Sequence, residues 1–92
     1  MRMTVYMKPT CGMSQRAMKL LREREIAFDT IDISKDETKR AEMIDRSGRT
    51  TTPQIFVGEY HLGGYDDLVG ADANGHLDQL LEGADQMASL QP

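Results

Sequence analysis

An α/β fold, with one four-stranded mixed sheet and helices on both faces, is predicted by three observations. The apolar period alternates between two residues and three to four along the chain. Turn and cap residues fall at the changes of period, giving the order β-α-β-α-β-β-α. The 92 residues make one domain, since a chain this short buries only about 60–65% of its unfolded surface and supports one small core.

Residues 2–7, RMTVYM, alternate as a short strand. Lys8-Pro9-Thr10-Cys11-Gly12 breaks the alternation. A helix is expected from Met13 to about Glu25, with Met13, Ala17, Leu20 and Leu21 inward and Arg16, Lys19, Arg22 and Glu23 outward. Residues 26–33 mix Phe28, Ile31 and Ile33 with Asp29 and Asp32 as a second strand. Ser34 with Glu37 three residues later forms a capping-box pattern, opening a helix that runs to about Arg46 and stops at Ser47-Gly48. Residues 53–57 read as a third strand, and Gly58-Glu59 as a two-residue turn into Tyr60-His61-Leu62. Gly63-Gly64 breaks that strand, Asp66-Asp67 opens a short helix, and Leu77, Leu80 and Leu81 mark a last helix ending near Gly83. The domain is expected over residues 1–83, with residues 84–92 as a frayed tail. Two strands joined by a helix pair in parallel, and the hairpin adds an antiparallel edge.

Composition excludes several function classes. The net charge of −4 argues against a phosphate-backbone binder and hence against nucleic acid. No stretch approaches the ~20 apolar residues of a membrane span, and the first residues lack the apolar run of a signal peptide. A cytoplasmic location is the expectation. All 11 basic residues lie within residues 1–49, and residues 50–92 carry only acids. Seven methionines read as adaptable core filler. His61, on the hairpin edge, and His76, on the last helix, read as solvated.

Cys11 is the only cysteine, so there is no disulfide framework. It stands where strand gives way to helix. The free N–H groups and partial positive charge of a helix N-terminus stabilise a thiolate, and Lys8 adds a positive charge nearby. These conditions bring a thiol pKa into a range of roughly 3.5–7.5. A second cysteine three residues on would make a redox pair. Ser14 stands there instead; it cannot resolve a mixed disulfide but can hydrogen-bond the sulfur.

The segments KPTCGMS (8–14), RTTTPQIF (49–56) and HLGGYDDL (61–68), in this order and spacing, resemble the glutathione site of the glutaredoxins, a family with the thioredoxin-like fold. The resemblance spans about residues 1–82. It implies a cis Thr52–Pro53 bond, with the Thr52 backbone turned toward glutathione to pair with its cysteine portion. It implies Lys8, with Arg49 assisting, for the glycine carboxylate, and Gly64, Tyr65 and Asp66 for the γ-glutamyl end, Asp66 pairing with the ammonium; Asp67 is the alternative. Met13 stands where many members have an aromatic residue and either lines the groove beside the sulfur or packs on the helix face. Tyr65 stands where many have cysteine. CGMS resembles the CGFS signature of monothiol members, whereas the short loop before Cys11 resembles dithiol members.

The function implied is a glutathione-dependent thiol-disulfide oxidoreductase. It would act by a monothiol mechanism, through a Cys11–glutathione mixed disulfide, on glutathionylated proteins or small disulfides. Exchange requires one thiolate, not two. The alternative is a [2Fe–2S] carrier, with Cys11 as metal ligand and two chains and two glutathiones around the cluster. A monomer is expected without a cluster and a dimer with one.

Overall fold

The computed structural model describes residues 2–81. Its elements are β1 (Met3–Met7), α1 (Gly12–Glu23), β2 (Phe28–Asp32), α2 (Glu37–Ser47), β3 (Gln54–Val57), β4 (Tyr60–Gly63) and α3 (Tyr65–Ala73). The chain is helical again over residues 76–81. The expected end of that last helix near Gly83, and the expected tail, lie outside the described residues.

The four strands form one mixed sheet in the order β2-β1-β3-β4. β1 runs parallel to β2 and antiparallel to β3, and β3 runs antiparallel to β4. Side chains alternate across a strand, so each central strand feeds two cores. Met3, Val5, Met7, Ile55 and Val57 point to one face, where Ala17, Met18 and Leu21 of α1 and Leu68 and Ala71 of α3 cover them. Tyr6 and Phe56 point to the other face and pack with Ile33, Met43 and Ile44. Helices therefore lie on both sides, α1 and α3 against α2. The buried Tyr6 ring keeps its polar end satisfied: its hydroxyl donates to Glu42 and accepts from Arg46 at 2.9 Å.

Several local expectations shift. The buried stripe of α1 is Ser14, Ala17, Met18 and Leu21; Met13 is 46% exposed. An apolar count placed Met13 inward, but the small serine holds that position, where it has a backbone partner. α2 is capped by Asp36, whose side chain accepts from the N–H groups of Thr38 (2.9 Å) and Lys39 (3.3 Å). Ser34 is not available as a cap, because its N–H and hydroxyl both donate to Asp32 Oδ1, at 2.8 and 2.6 Å. Ile26 precedes β2 rather than joining it, and its N–H closes the end of α1 on Leu21 O at 3.0 Å.

Candidate active site

The turn between β1 and α1 presents the cysteine. Cys11 N–H donates to Lys8 O at 3.0 Å, and Gln15 Nε2 donates to Pro9 O at 2.8 Å, which pins the loop to the helix it opens. Cys11 is the N-cap of α1, with an extended backbone and no side-chain cap bond. The first turn of α1 carries no acid. Its N–H groups are thus left to the sulfur. Ser14 is fully buried below, and its Oγ accepts from Lys8 N–H at 3.4 Å.

Across from Cys11 lies the turn that enters β3. The Thr52–Pro53 bond is cis. Cys11 Sγ lies 3.6 Å from Thr52 O, a bond the thiol form donates. The side chain of Thr52 leads the influences that favour the thiolate, followed by the N–H and hydroxyl of Ser14 and the N–H of Met13. Against some opposition from burial, these bring the Cys11 pKa down from its ordinary value to about 7. The lowering expected from the helix start is present. Lys8, expected to share in it, is not among the causes; Thr52, 41 residues along the chain, leads them.

Beside the sulfur runs an open groove of about 220 Å³. Met13, Arg49, Thr52, Pro53, Gly64, Tyr65 and Asp66, all singled out in the sequence, line it together with Thr51, Gln54 and Asp67. Cys11 and Lys8 do not line it; Cys11 adjoins it through Thr52, and Lys8 is half-buried at the end of β1, where its backbone holds the turn.

The far end of the groove is the start of α3. Asp67 Oδ2 accepts from Gly64 N–H at 2.9 Å and from Arg49 Nη1 at 3.3 Å. The Gly64 N–H, and then Arg49, hold the Asp67 carboxyl below the usual carboxylate range. Gly63 makes this closure possible. Its φ is +121°, and a Cβ there would collide with the Asp67 carboxylate. Asp66 is exposed and takes part in no ion pair among the described residues.

Three features escaped the sequence reading. The Thr52 hydroxyl was one, since only the backbone of that residue was considered. Gln54 was another: it is fully buried, with Nε2 donating to Thr51 O and Oγ1 at 3.0 and 3.2 Å. A glutamine alternating with Phe56 in a strand otherwise Ile-Phe-Val was the available signal. The third was His61. It is not a solvated edge residue, for its ring stacks on Phe56 with centroids 4.8 Å apart and its Nε2 lies 2.7 Å from Gln54 Oε1.

Among the described residues no three His, Cys, Asp or Glu side chains group as a metal site. A [2Fe–2S] cluster needs four thiolate-type ligands, so it does not fit a single chain with one cysteine.

The sheet order, with a reactive cysteine at the start of the first helix, defines a thiol oxidoreductase of thioredoxin-like fold. Comparison with known proteins sharpens the class. The glutaredoxin family model matches residues 3–62, and the chain belongs to that family. It is similar to glutaredoxin 3 of Escherichia coli K12, with 49% identity over 78 residues, 85% of this chain and 94% of the relative. A solution structure of glutaredoxin from Brucella melitensis aligns with a TM-score of 0.77 at 45% identity, covering 87% of both chains. A crystal structure of a buckwheat glutaredoxin–glutathione complex aligns at 0.80 with 26% identity, covering 87% of this chain and 76% of the other. No described helix is long and apolar enough to cross a membrane.

Proposed function

We propose that this chain is a glutathione-dependent thiol transferase working by a monothiol mechanism, as a monomer in the cytoplasm. The observation that carries the reading is a thiol with its pKa lowered to about 7 beside a groove bordered by Arg49 and Asp66. Glutathione has one carboxylate at its glycine end and a carboxylate with an ammonium at its γ-glutamyl end. Lys8 and Arg49 would take the first, and Gly64, Tyr65 and Asp66 the second. Thr52 would pair its backbone with the cysteine portion as an added strand does, between Met13 and Pro53. Asp67 is committed to the α3 cap and Arg49, which favours Asp66 for the ammonium.

In the first step the Cys11 thiolate attacks the glutathione sulfur of a glutathionylated protein. A Cys11–glutathione disulfide forms, the substrate disulfide breaks, and the substrate thiolate departs with the electron pair. In the second step a glutathione thiolate attacks the adduct sulfur belonging to glutathione. Glutathione disulfide forms and the Cys11 thiolate returns. Summed over both steps, one glutathione enters for each substrate thiol released, the glutathionyl group leaves in glutathione disulfide, and no second protein thiol is needed.

The test is incubation with oxidised glutathione followed by intact mass measurement. One glutathionyl group per chain is expected, removable by reduced glutathione. Ser14→Cys puts a thiol one helical turn away, and that variant should shed the adduct into an intramolecular disulfide. No adduct, together with a coloured dimer on addition of iron, sulfide and glutathione, would replace the transferase by the cluster carrier.

A further inference from the structure

His61 is a side chain that the redox chemistry leaves unused and that the fold holds by both a ring stack and a hydrogen bond. The pairing of β3 with β4 carries a bulge between Ile55 and Phe56, which sets His61 directly opposite Phe56. Phe56 and Gln54 share a face by strand alternation, so the imidazole comes to lie over one and beside the other. The stack on Phe56, with planes 27° apart, fixes the ring. Arg46 lies 4.1 Å from the Phe56 ring centroid and bonds Gly58 O, fixing Phe56 in turn.

The direction of each hydrogen bond follows. Gln54 Nε2 faces two acceptors, Thr51 O and Thr51 Oγ1. Its Oε1 therefore faces His61 as an acceptor, and His61 must carry its proton on Nε2. Gln54 is fully buried. Without His61 its carbonyl has no partner, and a buried amide that loses a partner turns or shifts to find another. The segment Gln54 holds is Thr51, next to Thr52, whose carbonyl lies 3.6 Å from the sulfur and whose side chain leads the influences that favour the thiolate.

We propose that His61 is a positioning residue for the Cys11 thiolate, acting through Gln54 and Thr51 to hold Thr52 against the sulfur. His61 touches neither the sulfur nor the groove. Burial, chiefly, with Arg49 and Arg46 on its surroundings, favours the neutral ring over the opposing pull of Asp67. The chain of bonds requires a proton on Nε2, which the neutral ring carries in one of its two tautomers.

The proposal rests on Cys11 acting as a thiolate but not on glutathione. The thiolate midpoint is read by ultraviolet absorbance without any substrate, so failure here is separable from failure of the transferase reading. Thr52→Val should raise that midpoint by about one unit, the loss of a hydrogen bond to a charged group. His61→Phe keeps an aromatic ring for the stack and removes the donor; it should raise the midpoint by about half a unit. The double variant should stand no higher than Thr52→Val alone, because both act on one hydroxyl. His61→Gln, which restores an N–H, should return most of the shift. An unchanged midpoint in His61→Phe, or shifts that add in the double variant, would overturn the proposal even if thermal unfolding falls, since a purely structural histidine lowers stability alone. If His61→Phe does not fold, nitrogen NMR of the unaltered protein decides. A hydrogen-bonded proton on Nε2 at pH 7 supports the chain of bonds, and a proton on Nδ1 refutes it.

Discussion

The N-termini of α1 and α2 are built from the same backbone and treated in opposite ways. At α2 the Asp36 carboxylate fills the end, taking two N–H groups. At α1 the N-cap is Cys11, with no side-chain cap and no acid in the first turn. A helix start presents unsatisfied donors and a partial positive charge wherever it occurs. A fixed carboxylate uses these for stability. A cysteine in the same place leaves them for an anion that exists only part of the time. At α1 the N-cap residue and the nucleophile are the same residue. The start of α3 combines the two arrangements: Asp67 closes the end on Gly64 N–H, while its neighbour Asp66 stays out of every ion pair among the described residues and faces the groove.

The largest effect that would break this comparison lies at α3. If Asp67 is the cap and Asp66 the ligand group, Asp66→Ala raises the Michaelis constant for glutathione about 10- to 150-fold, the loss of a charged hydrogen-bond partner. The Cys11 midpoint stays in place. Steady-state kinetics with varied glutathione checks this, and an effect confined to Asp67→Ala would exchange the two roles.

Next come the caps. Asp36→Ala should lower unfolding free energy by about 0.5–2 kcal/mol with transfer activity unchanged, as denaturant titration and the transfer assay would show. Asp67→Ala should lower stability comparably, and it also frees Arg49, so glutathione affinity changes with it. Equal kinetic profiles for the two variants would dissolve the distinction between a structural helix end and one at a binding site.

The remaining effect is a pH dependence at α1. The folded Cys11 pKa, about 7, lies below its ordinary value. A depressed pKa contributes stability that is fully present above the unfolded value and is lost as pH falls through the folded one. The reduced protein should therefore gain stability between pH 7 and pH 9 relative to Cys11→Ser, by about 1–2 kcal/mol, the same order as a carboxylate cap. Unfolding curves at the two pH values check the sign. A gain of the same size in Cys11→Ser would remove the thiolate from the account of α1.

The order of elements was legible because strand and helix periods differ and the breaks carry Pro, Gly and Ser. The cysteine at the first strand–helix change was legible for the same reason, since position alone implies the helix field. What failed was the choice between equivalent local patterns. Ser34 and Asp36 both suit a cap; the decision went to Asp36 because Asp32 occupies Ser34. Met13 and Ser14 both border the inner face of α1, and the buried position takes the serine because its hydroxyl has a backbone partner. His61 was misread as solvated because its partner lies seven residues away across a bulged hairpin. A one-residue bulge reverses which side chains share a face and leaves little trace in composition.

The open start of α1 has a consequence for the return half of the proposed transferase reaction. In that half Cys11 is the leaving group, expelled as glutathione attacks the adduct, and thiols of lower pKa leave faster. The donors that hold the thiolate before attack also receive it afterwards. They stabilise the free thiolate and have no comparable charge to stabilise in the adduct. In that proposed cycle a Cys11–glutathione disulfide would therefore have a higher reduction potential than one on an ordinary cysteine. The exchange equilibrium would then favour the free thiolate, making the adduct a transient carrier of the glutathionyl group rather than its store.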